Sequence, residues 1–117
     1  MSRRILTSAL ALAVTLAGAA RVRAADTVSG EVVDLACYLH DPTMHGSSHR
    51  KCAETCAKKG IAMGLLTPDG TVLVLLENHD SPKSYADALA KAAQTITVDG
   101  QKVGLGGVNA IVVEAVR

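Results

Sequence analysis

The strongest constraint on how this chain can fold is the absence of large aromatics: it has no Phe and no Trp, and only Tyr38 and Tyr85 carry a ring of that kind. A core must then be assembled from Val, Ile, Leu, Ala and Met, whose side chains each remove less apolar surface from water than an aromatic does. For a small domain that is a thin supply, and it predicts a staple: a disulfide, a bound metal or a partner surface.

How small the domain is depends on the N-terminus. Arg3 and Arg4 form a basic start, Ile5 to Ala20 is an uncharged Leu/Ala-rich run, and Val22-Arg23-Ala24 supplies processing positions. This reads as a secretory signal peptide over residues 1–24, cut after Ala24 or, as second choice, after Ala20. The run of about 16 apolar residues is too short for a membrane span. Ser2-Arg3-Arg4-Ile5-Leu6 also resembles a twin-arginine export signal, so either export route stays open. Its removal leaves 93 residues, 25–117, as one domain in the periplasm or outside the cell, with no membrane span in the mature chain. Eight Lys/Arg then face eleven Asp/Glu, a net charge of −3, which gives no reason to expect a nucleic-acid partner.

Val28 to Ala36 is a β-rich run in which Gly30 marks a bulge or bend. Ile61 to Thr67 and Thr71 to Leu76 flank Pro68-Asp69-Gly70 and predict a hairpin. Ser81-Pro82 opens a helix through Tyr85, Leu89 and Ala92, with Asp87 and Lys91 as an i,i+4 pair. Thr95 to Val103, bending at Asp99-Gly100, and Asn109 to Val116 are the last strands, joined by a flexible Gly104–Gly107. The prediction is a mainly β protein, a five-stranded OB-fold-like barrel. It has a helical insert between strands 1 and 2 and a helix between strands 3 and 4. A small α+β sandwich with the same element order is the alternative.

The insert holds the chemistry. Residues 37–56 contain all three cysteines (Cys37, Cys52, Cys56), three of four histidines (His40, His45, His49) and Met44. Ser47 or Ser48 can cap a helix running from His49 to Lys59, with Glu54 paired to Lys58 and an ending at Lys58-Lys59-Gly60. On it His49, Cys52 and Cys56 fall at i, i+3 and i+7, one face, which Ala53 completes. Cys37, at the end of the first strand, is the natural fourth member. The predicted metal ligands are therefore Cys37, His49, Cys52 and Cys56, a donor set that suits copper, as Cu(I), or zinc. His40, His45 and Met44 fall in an exposed loop around Pro42 and Gly46 and read as bystanders; His79 reads as a turn residue.

Several motifs together resemble a type of small secreted bacterial protein with an OB-like fold. They are Gly30-Glu-Val-Val-Asp34 with Cys37-Tyr38, then His49-x-x-Cys52-Ala53-x-x-Cys56, Gly60, Gly64 to Leu66, Gly106-Gly107, and Ala110 to Val113. The resemblance covers nearly all of 28–116; it implies the fold and carries no reaction. Cys-x-x-x-Cys with a separate histidine is also similar to the copper site of cytochrome-oxidase assembly chaperones, which have a thioredoxin fold.

The expected function is a metal-binding carrier, sensor or structural site rather than an enzyme, with a periplasmic protein as a further candidate partner. Two alternatives stand beside it. In an oxidising compartment Cys37 can pair with Cys52 or Cys56, giving a disulfide-stapled binding or assembly module without metal. Or Cys52 or Cys56 attacks as a thiolate in thiol–disulfide exchange. A Cys-x-x-Cys-His haem motif, phosphate loop, dinucleotide fingerprint and Gly-x-Ser-x-Gly elbow are all missing.

Overall fold

The first strand of the domain alternates inward and outward along its first half and is buried without interruption at its end, because its two halves have different neighbours. In the computed structural model, which describes residues 23–117, this strand is β1, Asp26–Asp34. The leader expected over residues 1–24 lies outside the described residues except for its last two. β1 pairs antiparallel with β4 (Thr95–Leu105) from Asp26 to Glu31 and with β2 (Met63–Leu66) from Glu31 to Asp34. The change of partner falls at Gly30–Glu31. Gly30 makes no bulge: it stays in register opposite Ile96, and a Cβ there would sit 2.5 Å from the carbonyl oxygen of Leu66. Its lack of a side chain serves a close backbone approach.

β2 turns through Thr67–Thr71 into β3, Val72–Glu77. The turn closes as expected, with the Thr67 N–H on the Thr71 carbonyl at 2.9 Å and Gly70 at φ 85°. β3 runs parallel to β5 (Val108–Val116), β5 pairs antiparallel with β4, and β4 returns to β1, closing a barrel in the order β1-β2-β3-β5-β4. β4 bends by a register shift between Asp99 and Gly100, as the sequence suggests. It also runs on through Gly104, because Gly106 and Gly107, at φ 59° and 83°, make the tight turn into β5.

The barrel interior is aliphatic throughout: Val32, Met63, Leu65, Val98, Ile111 and Val113 are the largest fully buried apolar side chains. The helix between β3 and β4, α3, spans Pro82–Leu89 and lays Ala88, Tyr85 and Leu89 against that core. Its ion pair is Lys83–Asp87 at 2.6 Å, not Asp87–Lys91. After it, Ala93 takes a positive φ of 60°, held there by its N–H on the Val32 carbonyl at 2.8 Å.

The insert between β1 and β2 departs most from expectation. The apolar run does not extend as a strand to Ala36; β1 stops at Asp34 and a short helix, α1, spans Leu35–His40. A 3-10 turn at Ser47–His49 then leads into α2, Arg50–Lys58, so α2 begins one residue after His49, which takes the N-cap position without a side-chain capping bond to the helix. The pair on α2 is Arg50–Glu54 at 3.2 Å in place of Glu54–Lys58. No described helix is long and apolar enough to cross a membrane.

Candidate metal centre

The site is organised by a carboxylate. Asp34 ends β1 with 0% of its surface exposed, so every lone pair it keeps from water needs a donor inside the protein. One oxygen accepts the Cys37 N–H at 2.8 Å and caps α1; the other accepts from His49 Nε2 at 3.0 Å. The Cys37 Sγ lies within 4.8 Å of the same carboxylate. Asp34 therefore ties the start of α1 to the approach of α2.

α2 is seated by its smallest residues. Ala53 (1% exposed) and Ala57 pack onto the barrel core, and their short side chains let the helix lie close. Cys52 and Cys56 flank that buried stripe, Cys52 exposed and Cys56 half-buried, and both face α1 and Cys37. The three Sγ atoms lie within 4.8 Å of one another. Two thiolates on one ion sit at most about 4.6 Å apart, twice a metal–sulfur bond of roughly 2.3 Å. The trio is thus close to the spacing that one ion imposes. All three cysteines are free.

The four residues marked out by the sequence do not form a single set. Cys37, Cys52 and Cys56 make one group; Asp34, Cys37 and His49 make a second, sharing Cys37. Both groups lie close enough to hold a metal ion. Cys37 acts from α1 rather than from the end of the first strand, and His49 from the 3-10 turn rather than from the helix itself.

Electrostatics keep two of the thiols protonated. The Cys37 thiol is pushed up to about 12, first because it donates to Asp34, then by burial and by the nearby charges of Asp34 and Cys52. Cys56 is raised by burial first, then by the negative charge of Asp34 and by Cys52. For Asp34, burial works upward, but hydrogen bonds from the Cys37 thiol and amide and from His49 outweigh it and hold the carboxyl below its ordinary value. Thiols held in this state are poor nucleophiles, which weighs against Cys56 as an attacking thiolate. A metal ion would bind by displacing their protons.

The remaining candidates lie apart. His45 faces Glu31, Nδ1 to Oε2 at 3.3 Å, and stands edge-on to Tyr38 with ring centres 5.9 Å apart. His40 is exposed at the end of α1, Met44 is exposed in the following loop, and His79 is exposed in the turn before α3. None of them belongs to either group. Asp34 is the functional residue that sequence reasoning undervalues. Its signal is a carboxylate three residues before a cysteine, the spacing of a helix N-cap.

Comparison with protein-family models, curated proteins and solved structures returns no match to this chain.

Proposed function

We propose that this is a secreted or periplasmic metal-binding protein. The Cys37, Cys52 and Cys56 thiolates hold one copper or zinc ion, with His49 as the nearest nitrogen donor. The observation that carries this reading is the convergence of three sulfurs from two helices, within 4.8 Å, at a rim where Cys52 meets solvent. An OB-like barrel is the scaffold; the parallel β3–β5 pair and the helix between β3 and β4 support that label. A partly exposed site on a rigid barrel suits a carrier or sensor that exchanges its ion with a periplasmic protein partner, rather than a closed structural site. Nucleic acid is not the partner: a mature charge of −3 and two tyrosines offer neither a basic groove nor a stacking platform.

The same convergence favours a second reading, in which Cys37 forms a disulfide with a cysteine of α2 and the protein is a stapled binding module. Metal analysis with a thiol count in denaturant, on protein purified from its native compartment, separates the two. About one ion and three thiols per chain supports the metal site; no ion and one thiol supports the staple.

A further inference from the structure

Which ion such a site takes depends on whether a fourth protein donor is available, and here Asp34 decides. Among the described residues, His49 is the one histidine grouped with any of the three cysteines. Its Nε2 bonds Asp34 at 3.0 Å, which by itself leaves Nδ1 to a metal, but the ring does not join the group in which the three sulfurs converge. Asp34 cannot follow the ring toward a metal, because it is fully buried at the end of a barrel strand and its other oxygen caps α1 through the Cys37 amide at 2.8 Å. Delivering Nε2 to an ion would leave a buried carboxylate short of a partner, a cost on the scale of a lost charged hydrogen bond. The sulfurs carry no such commitment to a rigid partner on the α2 side. Cys52 is exposed, and Cys56 lies beside it one turn on.

We propose that the ion is Cu(I), held by Cys37, Cys52 and Cys56 alone in a three-coordinate all-sulfur site, with Asp34 keeping His49 out of coordination. This rests on the reading of the cluster as a metal site and names its cargo. Thiolates select soft ions, Cu(I) and zinc among them, but zinc completes a tetrahedron, with a fourth protein ligand in structural sites or water in catalytic ones. A soft monovalent ion is satisfied by three sulfurs. The negative charge of Asp34 beside the thiolates is met by the Cys37 amide and by His49, which gives His49 a role in the site without a bond to the metal. Binding is ligation only: protons leave the thiols, and neither copper nor sulfur changes oxidation state.

The test uses the full mature chain, reduced and handled without oxygen. X-ray absorption of the Cu(I)-loaded protein should show three sulfur neighbours at roughly 2.2–2.3 Å and no nitrogen, by analogy with zinc–thiolate distances. Competition titrations with Cu(I) and with Zn(II) should then be run on wild type, H49A and C52S, with circular dichroism confirming that each is folded. We expect H49A to change either affinity by less than threefold and C52S to weaken Cu(I) binding by more than tenfold. A nitrogen in the copper shell, or a tenfold loss of either metal on H49A, overturns the three-sulfur site while leaving the protein a metal binder. If wild type takes up neither ion at micromolar concentration, the metal reading itself falls.

Discussion

Replacing Asp34 by alanine should destabilise the protein at the junction of β1 and the insert. The substitution removes an N-cap acceptor, worth about 1 kcal/mol. The donor of that cap, the Cys37 amide, is left without its acceptor, and so is a second donor, His49 Nε2; each costs about 1–3 kcal/mol, cap included, where water does not replace the acceptor. The His49 side chain is 13% exposed, so its share falls at the low end, and the expected loss is about 2–4 kcal/mol. Asp34→Asn keeps an acceptor for the amide and loses the charge, and should cost about 1 kcal/mol. The pH dependence carries the sign. Because the folded-state value of Asp34 lies below its ordinary one, its stabilisation is present above about pH 4 and is lost as pH falls through the folded value. Urea unfolding at pH 7 and at pH 3 should therefore show the gap between wild type and Asp34→Asn narrowing on acidification. An alanine variant within about 0.5 kcal/mol of wild type, or a gap that widens toward pH 3, would refute the assignment of Asp34 as the organising group.

The asparagine variant should also bring the Cys37 thiol down from about 12, since Asp34 is the leading cause of its height; alkylation of Cys37 near pH 8 should then be faster than in wild type, and an unchanged rate would contradict this. Ala53→Leu places a larger side chain at a position 1% exposed beneath α2, and should cost about 1–3 kcal/mol and at least tenfold in metal affinity, read by urea unfolding and competition titration. Gly30→Ala drives a Cβ against the Leu66 carbonyl 2.5 Å away, and should lower stability by about 1–3 kcal/mol with little change in the metal affinity of the folded fraction. The exported protein should begin at Ala25 by intact mass; an uncleaved N-terminus in the soluble fraction would count against secretion through a cleaved leader.

The strands were legible because each states its neighbours locally. Val72 to Leu75 alternates between half-buried and buried, and Pro68-Asp69-Gly70 fixes the turn before it. Closure was not legible in this way. That β1 leaves β4 for β2 at Gly30 is a property of the assembled sheet, and Gly30 reads equally well as a bulge. α1 was missed because Leu35 and Ala36 prolong the apolar run; what ends the strand is the buried Asp34, whose lone pairs are met by capping a helix. The ion pairs went astray for a simpler reason. Glu54 and Asp87 each have a base four residues away on both sides, and spacing alone does not choose. At the site, the cysteine spacing foretold the three sulfurs, but the ring of His49 was directed by Asp34, a tertiary partner that helical periodicity does not reveal.

The central claim is that three sulfurs from two helices serve one ion, and metal titration of the three single variants Cys37→Ser, Cys52→Ser and Cys56→Ser addresses it directly. Each serine keeps the size and loses the thiolate, so each should weaken binding by a comparable factor, more than tenfold, while wild type takes up one ion per chain. A cysteine whose loss leaves the affinity unchanged, above all Cys37 on α1, would contradict it.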